Sequence, residues 1–186
     1  MRVIAGKARR LILKSTPGFD TRPTSDKIKE TLFNVLQPDI PGSRFLDLFS
    51  GSGGIGIEAL SRGSVRCVFV ENSAKAVKVI RENLEHTRLA DDAEVIAGSV
   101  LSAIHELSVR RCQFDIVYMD PPYHAGFEQP VLEALASSGI ITPDSLVIVE
   151  ADLHNRLEFA EDCGFCIIRN KTYKTNQHYF LKLKEL

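Results

Sequence analysis

Two groups of residues in this sequence have types and spacings suited to chemistry. The first is Asp120-Pro121-Pro122-Tyr123, within the stretch FDIVYMDPPYHAGF. The run before it, residues 114–119, reads as a buried strand. Two prolines stop a strand and stiffen the backbone beyond it. A carboxylate and an aromatic ring are thereby held in fixed places at the strand's carboxyl edge. The second group lies in LDLFSGSGGIGIEAL, where Gly51, Gly53 and Gly56 match the spacing G-x-G-x-x-G. Small residues there let a ligand approach the backbone, and a helix start offers N–H donors. Glu71 follows Gly51 by twenty residues, at the end of the next predicted strand. A carboxylate in that place accepts both hydroxyls of a ribose.

The glycine loop implies a ribose-bearing ligand without naming it. NAD and S-adenosylmethionine both present a ribose to an acidic residue on the second strand. For NAD the glycines cradle a pyrophosphate; for S-adenosylmethionine they pass beside the amino-acid part. Asp47, just before the loop, is poorly placed beside a pyrophosphate but serves an ammonium through water, which tilts the balance toward S-adenosylmethionine.

The Asp-Pro-Pro-Tyr group suits a planar nucleobase amine. The lone pair of such an amine is delocalised into the ring, so it is a poor nucleophile. Two acceptors holding its two N–H groups pull the nitrogen toward tetrahedral geometry and aim the lone pair at an incoming methyl group. Asp120 supplies one acceptor and the Pro121 carbonyl the other. Pro122 stiffens the loop and Tyr123 stacks on the base. Transfer is then an in-line displacement helped mainly by positioning.

The elements that must position these groups follow from periodicity. An apolar and Gly/Pro-rich start predicts a small hairpin and a loop. SDKIKETLFNVLQP predicts a helix, with Ile28, Leu32, Val35 and Leu36 at helical spacing. From Arg44 the pattern alternates strand and helix: RFLDLF, GIGIEALSRG, VRCVFVE, SAKAVKVIRENLEHTRL, AEVIAG, VLSAIHELSV, FDIVYMD, EQPVLEALASSG, DSLVIVEA and NRLEFAEDCG. A final pair of strands in FCIIRNKTYKTNQHYFLKLK closes the chain. Such alternation predicts an α/β, Rossmann-like, doubly wound sheet, mostly parallel, with one antiparallel strand from the C-terminal hairpin. We expect one domain over 1–186, with residues 1–40 as an extension packed on a 41–186 core. Ligands bind where the strand order reverses, so the glycine loop and Asp120 are expected to face one crevice.

Bulk properties narrow the class. Of the 186 residues, 44% are hydrophobic and 25% charged, as in ordinary globular proteins. No apolar run approaches the ~20 residues of a membrane span, and the start lacks the features of a signal peptide; a cytoplasmic protein is expected. The net charge of −1 conceals an asymmetry. Residues 1–30 carry eight Lys/Arg against three Asp/Glu, residues 169–186 five against one, and the middle ten against twenty. Basic ends of this kind suit phosphate backbones. Cys163 and Cys166 have CxxC spacing, but no second ligand pair completes a zinc site and the pair leads into a strand; no metal is expected.

The Asp-Pro-Pro-Tyr motif resembles that of S-adenosylmethionine-dependent amino-methyltransferases. MRVIAGKARR, TRPTSDKIKETLFNVL, FLDLFSGSGGIGIEALSRG and VYMDPPY, in that order, resemble the bacterial 16S ribosomal RNA guanine-N2 methyltransferase family over nearly the whole chain. The resemblance implies S-adenosylmethionine as cofactor, and methylation of a guanine amine in 16S rRNA of the small ribosomal subunit or its assembly intermediate. It implies no membrane and no obligate protein partner. By this likeness Asp47, Gly51, Ser52, Gly53, Gly56 and Glu71 line the cofactor site, and Asp120 to Tyr123 form the reaction site. Arg22 falls in a loop near the cofactor or the RNA. Lys7, Arg9, Arg10, Lys171 and Lys174 are the cationic candidates for RNA contact.

Three positions depart from the family pattern. Arg9-Arg10 stands where members often have Arg-Gly, and Tyr173-Lys174 where they often have Tyr-Gly. Ser99 occupies the place of an Asp that commonly bonds the adenine amine. The competing readings are a DNA adenine-N6 methyltransferase, which shares the chemistry but usually carries a separate target-recognition region, an NAD-dependent oxidoreductase, and a non-catalytic nucleic-acid-binding module.

Overall fold

In the computed structural model, residues 1–15 and 26–185 are described. Arg22 and the rest of TRPT lie outside them. Seven strands form one sheet: β1 Arg44–Leu48, β2 Arg66–Glu71, β3 Ala93–Ala97, β4 Ile116–Met119, β5 Leu146–Asp152, β6 Phe165–Thr172 and β7 Asn176–Leu183. Their order is β3-β2-β1-β4-β5-β7-β6. β1 to β5 are parallel, and β7 runs antiparallel to both β5 and β6. This is the expected Rossmann-like arrangement, with the order reversing between β1 and β4.

Helices cover both faces, which is why the central strands read as unbroken apolar runs. The helices are α1 Asp26–Leu36, α2 Gly54–Ser61, α3 Ala74–Thr87, α4 Val100–Val109 and α5 Glu128–Ser138. Leu107 of α4 and Leu132 of α5 pack with Leu48, Val117 and Val149 on one face. Phe33 of α1, Ile57 of α2 and Ile80 of α3 pack with Phe45, Phe69 and Phe180 on the other. Helix ends follow local chemistry. Ser73 accepts the Ala76 amide at the start of α3, and Gly139 (φ +73°) ends α5.

The N-terminal segment is simpler than a hairpin of two strands. It makes a single antiparallel bridge, Arg2 with Ile12, and lies along α2. Gly6 sits so close to α2 that a Cβ would fall 1.7 Å from the Ser61 carbonyl oxygen, so only glycine fits. Glu58 of α2 is fully buried and holds this segment. Its carboxylate accepts the amides of Ile4 (2.8 Å) and Ala5 (3.0 Å) and pairs with buried Lys29 (3.2 Å) and Arg62 (2.8 Å).

The helix predicted over NRLEFAEDCG is a single 3-10 turn, Glu158–Ala160. Asn155 is the reason. Its side-chain oxygen accepts the Leu157 amide at 3.1 Å, and Leu157 turns to φ +47°. A local side-chain bond of this kind competes with helix initiation.

Candidate active site

The glycine loop is shaped by Ser50, Gly51 and Gly53. Phe49 (φ +60°), Gly51 (φ +56°) and Gly53 (φ +81°) all take left-handed backbone. Ser50 ties the loop to the sheet: its hydroxyl donates to the Asp47 carbonyl (2.6 Å) and accepts the Val70 amide (3.0 Å). A Cβ on Gly51 would meet nothing within 4 Å, so the loop leaves open space at that residue. Glu71 reaches across from β2, where its carboxylate accepts the amides of Gly51 (2.9 Å) and Ser73 (2.8 Å). Each oxygen keeps a lone pair for a hydroxyl donor.

Asp47 is buried in β1 and accepts the Gly56 amide at 2.9 Å. Burial first, and then the Glu71 charge, push its carboxyl up to about 7, against the single amide bond that lowers it. A cation beside it would restore its charge. Gly56 itself serves packing. A Cβ there would fall 2.3 Å from Phe69 Cε1 and 2.7 Å from Cys67 Sγ, so its close approach is to the sheet. Ser99 caps α4: its hydroxyl accepts the Ser102 amide (3.2 Å) and donates to the Ser102 hydroxyl (2.7 Å). Its donor is spent there, and one hydroxyl lone pair remains for an amine donor such as that of an adenine. Ser52 lends the site its backbone, since its carbonyl accepts the side-chain amide of Asn83 at 2.9 Å.

Asp120 to Tyr123 follow β4 directly, across the strand-order switch from the glycine loop. The turn is closed by the Ala125 amide donating to the Pro122 carbonyl (3.2 Å). Among the described residues, no side chain or backbone group bonds the Asp120 carboxylate. Burial first, then the charges of Glu150 and Asp47, hold this carboxyl well above the usual range. Among the described residues it stands as an unfilled hydrogen-bonding group at the carboxyl edge of the sheet. Tyr123 keeps 42% of its surface exposed, while its hydroxyl points inward to Glu150 at 3.3 Å. Phe49, next to the glycine loop, and Phe127, beyond the Pro-Pro turn, meet with ring centroids 5.5 Å apart and join the two motif loops.

The cationic candidates divide. The turn of the C-terminal hairpin, with Lys171 and Lys174, lies at the carboxyl edge with Asp120, because β7 begins beside Asp152 at the end of β5. Lys7, Arg9 and Arg10 form a tip at the far end of α2, where the Lys7 amide bonds the Ser61 carbonyl (2.8 Å). The structure does not bring the two clusters together. Arg10 takes φ +74°, a backbone that favours glycine, whereas Lys174 needs no such backbone. Residue-type reasoning missed Asn83, Glu150, Asn176 and His178, whose partners lie 26 to 69 residues away in sequence.

The family described as "Conserved hypothetical protein 95" matches residues 1–182. The chain belongs to this family. Relatives include Ribosomal RNA small subunit methyltransferase D of Haemophilus influenzae, 34% identical over 175 residues and covering 92% of this chain and 88% of that one. The Escherichia coli K12 protein of the same name is 33% identical over 159 residues, covering 84% and 77%. The solved structure of the Thermus thermophilus hypothetical protein TTHA0928 superposes with a TM-score of 0.85 at 28% identity, over 98% of this chain and 99% of that one. SMU.776, solved in complex with SAH, shares the fold (TM-score 0.66, 13% identity, 83% of this chain and 49% of that one). Both named relatives are thus described as ribosomal RNA small subunit methyltransferases. Among its described residues no helix is long and apolar enough to cross a membrane.

Proposed function

We propose that the protein transfers a methyl group from S-adenosylmethionine to the exocyclic N2 amine of a guanine in 16S rRNA, within the small ribosomal subunit or its assembly intermediate. The observation that carries this reading is the Asp120 carboxylate: without a bonding partner among the described residues, at the carboxyl edge of the strand beside the one that leads into the glycine loop, and followed by a partly exposed ring.

The residues present fit the cofactor. Glu71 offers a lone pair on each oxygen to the ribose hydroxyls, Gly51 leaves open space, and Asp47 gains its charge beside an ammonium. When bound, S-adenosylmethionine supplies an electrophilic methyl on a sulfonium. Asp120 and the Pro121 carbonyl then hold the two amine hydrogens, and the nitrogen lone pair is aimed out of the base plane. Tyr123 fixes that plane. Once nitrogen forms its new bond to carbon, the amine is cationic and sheds a proton. The ionised Asp120 carboxylate, already accepting one of the amine hydrogens, is placed to receive it. Lys171 and Lys174, on the same edge, face the phosphate backbone of the RNA. Arg22 remains a proposed contact outside the described residues.

Labelled S-adenosylmethionine supplied with small ribosomal particles lacking guanine-N2 methylation, beside naked rRNA and plasmid DNA, tests the reading. Label on a guanine of the particle is expected. Label on DNA adenine instead would keep the chemistry and replace the substrate.

A further inference from the structure

Behind the reaction site lies a buried hub. Glu150 of β5 stands in register with His178 of β7, and its carboxylate collects four donors. Tyr118 Oη (2.5 Å) and His178 Nε2 (3.1 Å) reach Oε2; Asn176 Nδ2 (2.5 Å) and Tyr123 Oη (3.3 Å) reach Oε1. Tyr173, in the turn of the hairpin, meets the other nitrogen of His178 at 3.3 Å. Burial works against a charge on Glu150, yet the His178, Tyr118 and Asn176 contacts outweigh it and hold the carboxyl below its usual range.

Two features set the hub apart from a simple sheet staple. The Asn176 side-chain oxygen is buried without a partner among the described residues. Among the described residues the amide is therefore oriented by its bond to Glu150. Moreover, Tyr118, Asn176 and His178 are buried, whereas Tyr123 is partly exposed. The hub ends at Tyr123, the ring read above as stacking on the base. Its 3.3 Å bond is long, as such contacts often are before substrate arrives.

We propose that Glu150 is a positioning residue: its carboxylate, anchored by His178 and Asn176, fixes the plane of the Tyr123 ring against which the target base stacks. This rests on the reading of Asp120 to Tyr123 as the reaction site. It makes the C-terminal hairpin part of that site, since β7 supplies two of the anchors. A ring already held needs no ordering when the base arrives.

A double-mutant cycle tests it. Tyr123→Phe keeps the stacking surface and loses only the tether; Glu150→Gln keeps the shape and loses the charge. Each is expected to lower kcat roughly tenfold, the effect of one lost positioning bond, while the dissociation constant of the cofactor product stays within about twofold. The double variant should lose little more than the worse single, because both break one connection. Multiplicative losses, or a Glu150→Gln variant that melts earlier with unchanged kcat, would overturn the proposal. Should Glu150→Gln fail to fold, Asn176→Ala takes its place in the cycle.

A second readout needs no substrate. In protein carrying ¹³Cζ-tyrosine, the Tyr123 phenol faces Glu150, Asp120 and Asp152, and burial with these charges raises its titration. With Glu150→Gln the Tyr123 ¹³Cζ resonance of the folded protein at neutral pH should shift as the hydroxyl loses its charged acceptor, and an unmoved resonance contradicts the tether. If wild-type protein labels no particle, the proposed substrate fails while the phenol still decides the tether.

Discussion

The side-chain nitrogen of Asn83 donates to the Ser52 carbonyl at 2.9 Å and so ties α3 to the glycine loop. The same amide holds the N-terminal segment, donating to the Lys14 carbonyl (3.0 Å) and accepting the Lys14 amide (2.8 Å). One buried side chain thus joins three separate parts of the chain. Asn83→Ala should lower stability by about 2–3 kcal/mol, the net worth of three such bonds, and weaken cofactor binding as the loop loosens. Denaturant unfolding and calorimetric titration check both effects; unchanged affinity would show that the loop holds its shape without Asn83.

Asp47 gives a pH dependence whose sign is fixed. Its folded value, about 7, lies above the ordinary carboxylate value. Between about 4 and 7 the folded protein therefore holds a proton that the unfolded chain has lost. Its contribution to stability falls as pH rises through that window. A cofactor ammonium favours the ionised form, so binding should release a proton and tighten from about pH 6 toward about 7.5. The trend should vanish in Asp47→Asn. Equal pH dependence in that variant would place the titrating group elsewhere.

Glu71→Ala should weaken cofactor binding by about 1.5–3 kcal/mol, as expected when a charged acceptor of hydroxyls is lost. Glu71→Gln should fall between, because one amide of the pair at Gly51 and Ser73 can still be accepted. Titration of both variants with the cofactor product gives the order, and an inverted order would remove Glu71 from the ribose.

The strand order and both motif loops were legible because alternating strands and helices leave few topologies, and because glycine and proline act through their own backbone. The role of Gly56 was legible only in part: the spacing is that of a cofactor loop, but Gly56 lies in α2 and its nearest neighbours, Phe69 and Cys67, lie on β2. Glu58 with Lys29, and Glu150 with His178, were out of reach. Their chemistry depends on which distant charge the fold brings close, and no local period encodes that. NRLEFAEDCG misled for the opposite reason, since its helical pattern was real and a single Asn155 bond outweighed it.

Arg10 is an arginine in left-handed backbone, on the exposed tip of the N-terminal segment. Arg10→Gly should raise stability by about 1 kcal/mol through relief of that backbone. Thermal unfolding beside wild type decides it. If Arg10 is also an RNA contact, the same variant weakens particle binding while it stabilises the fold.

Asp120 carries the central claim. Its raised proton affinity means that its ionised form is unfavourable in the free protein, so Asp120→Asn should melt no earlier than wild type even as activity is lost. The most direct measurement digests the RNA of small ribosomal particles after reaction with wild-type and Asp120→Ala protein and identifies the methylated nucleoside by mass spectrometry. The account predicts N2-methylguanosine with wild type, at least ~10²-fold less with the variant, and cofactor affinity within a few-fold between them. A methyl on a ring nitrogen or a ribose, or the same product formed as fast by Asp120→Ala, would contradict it.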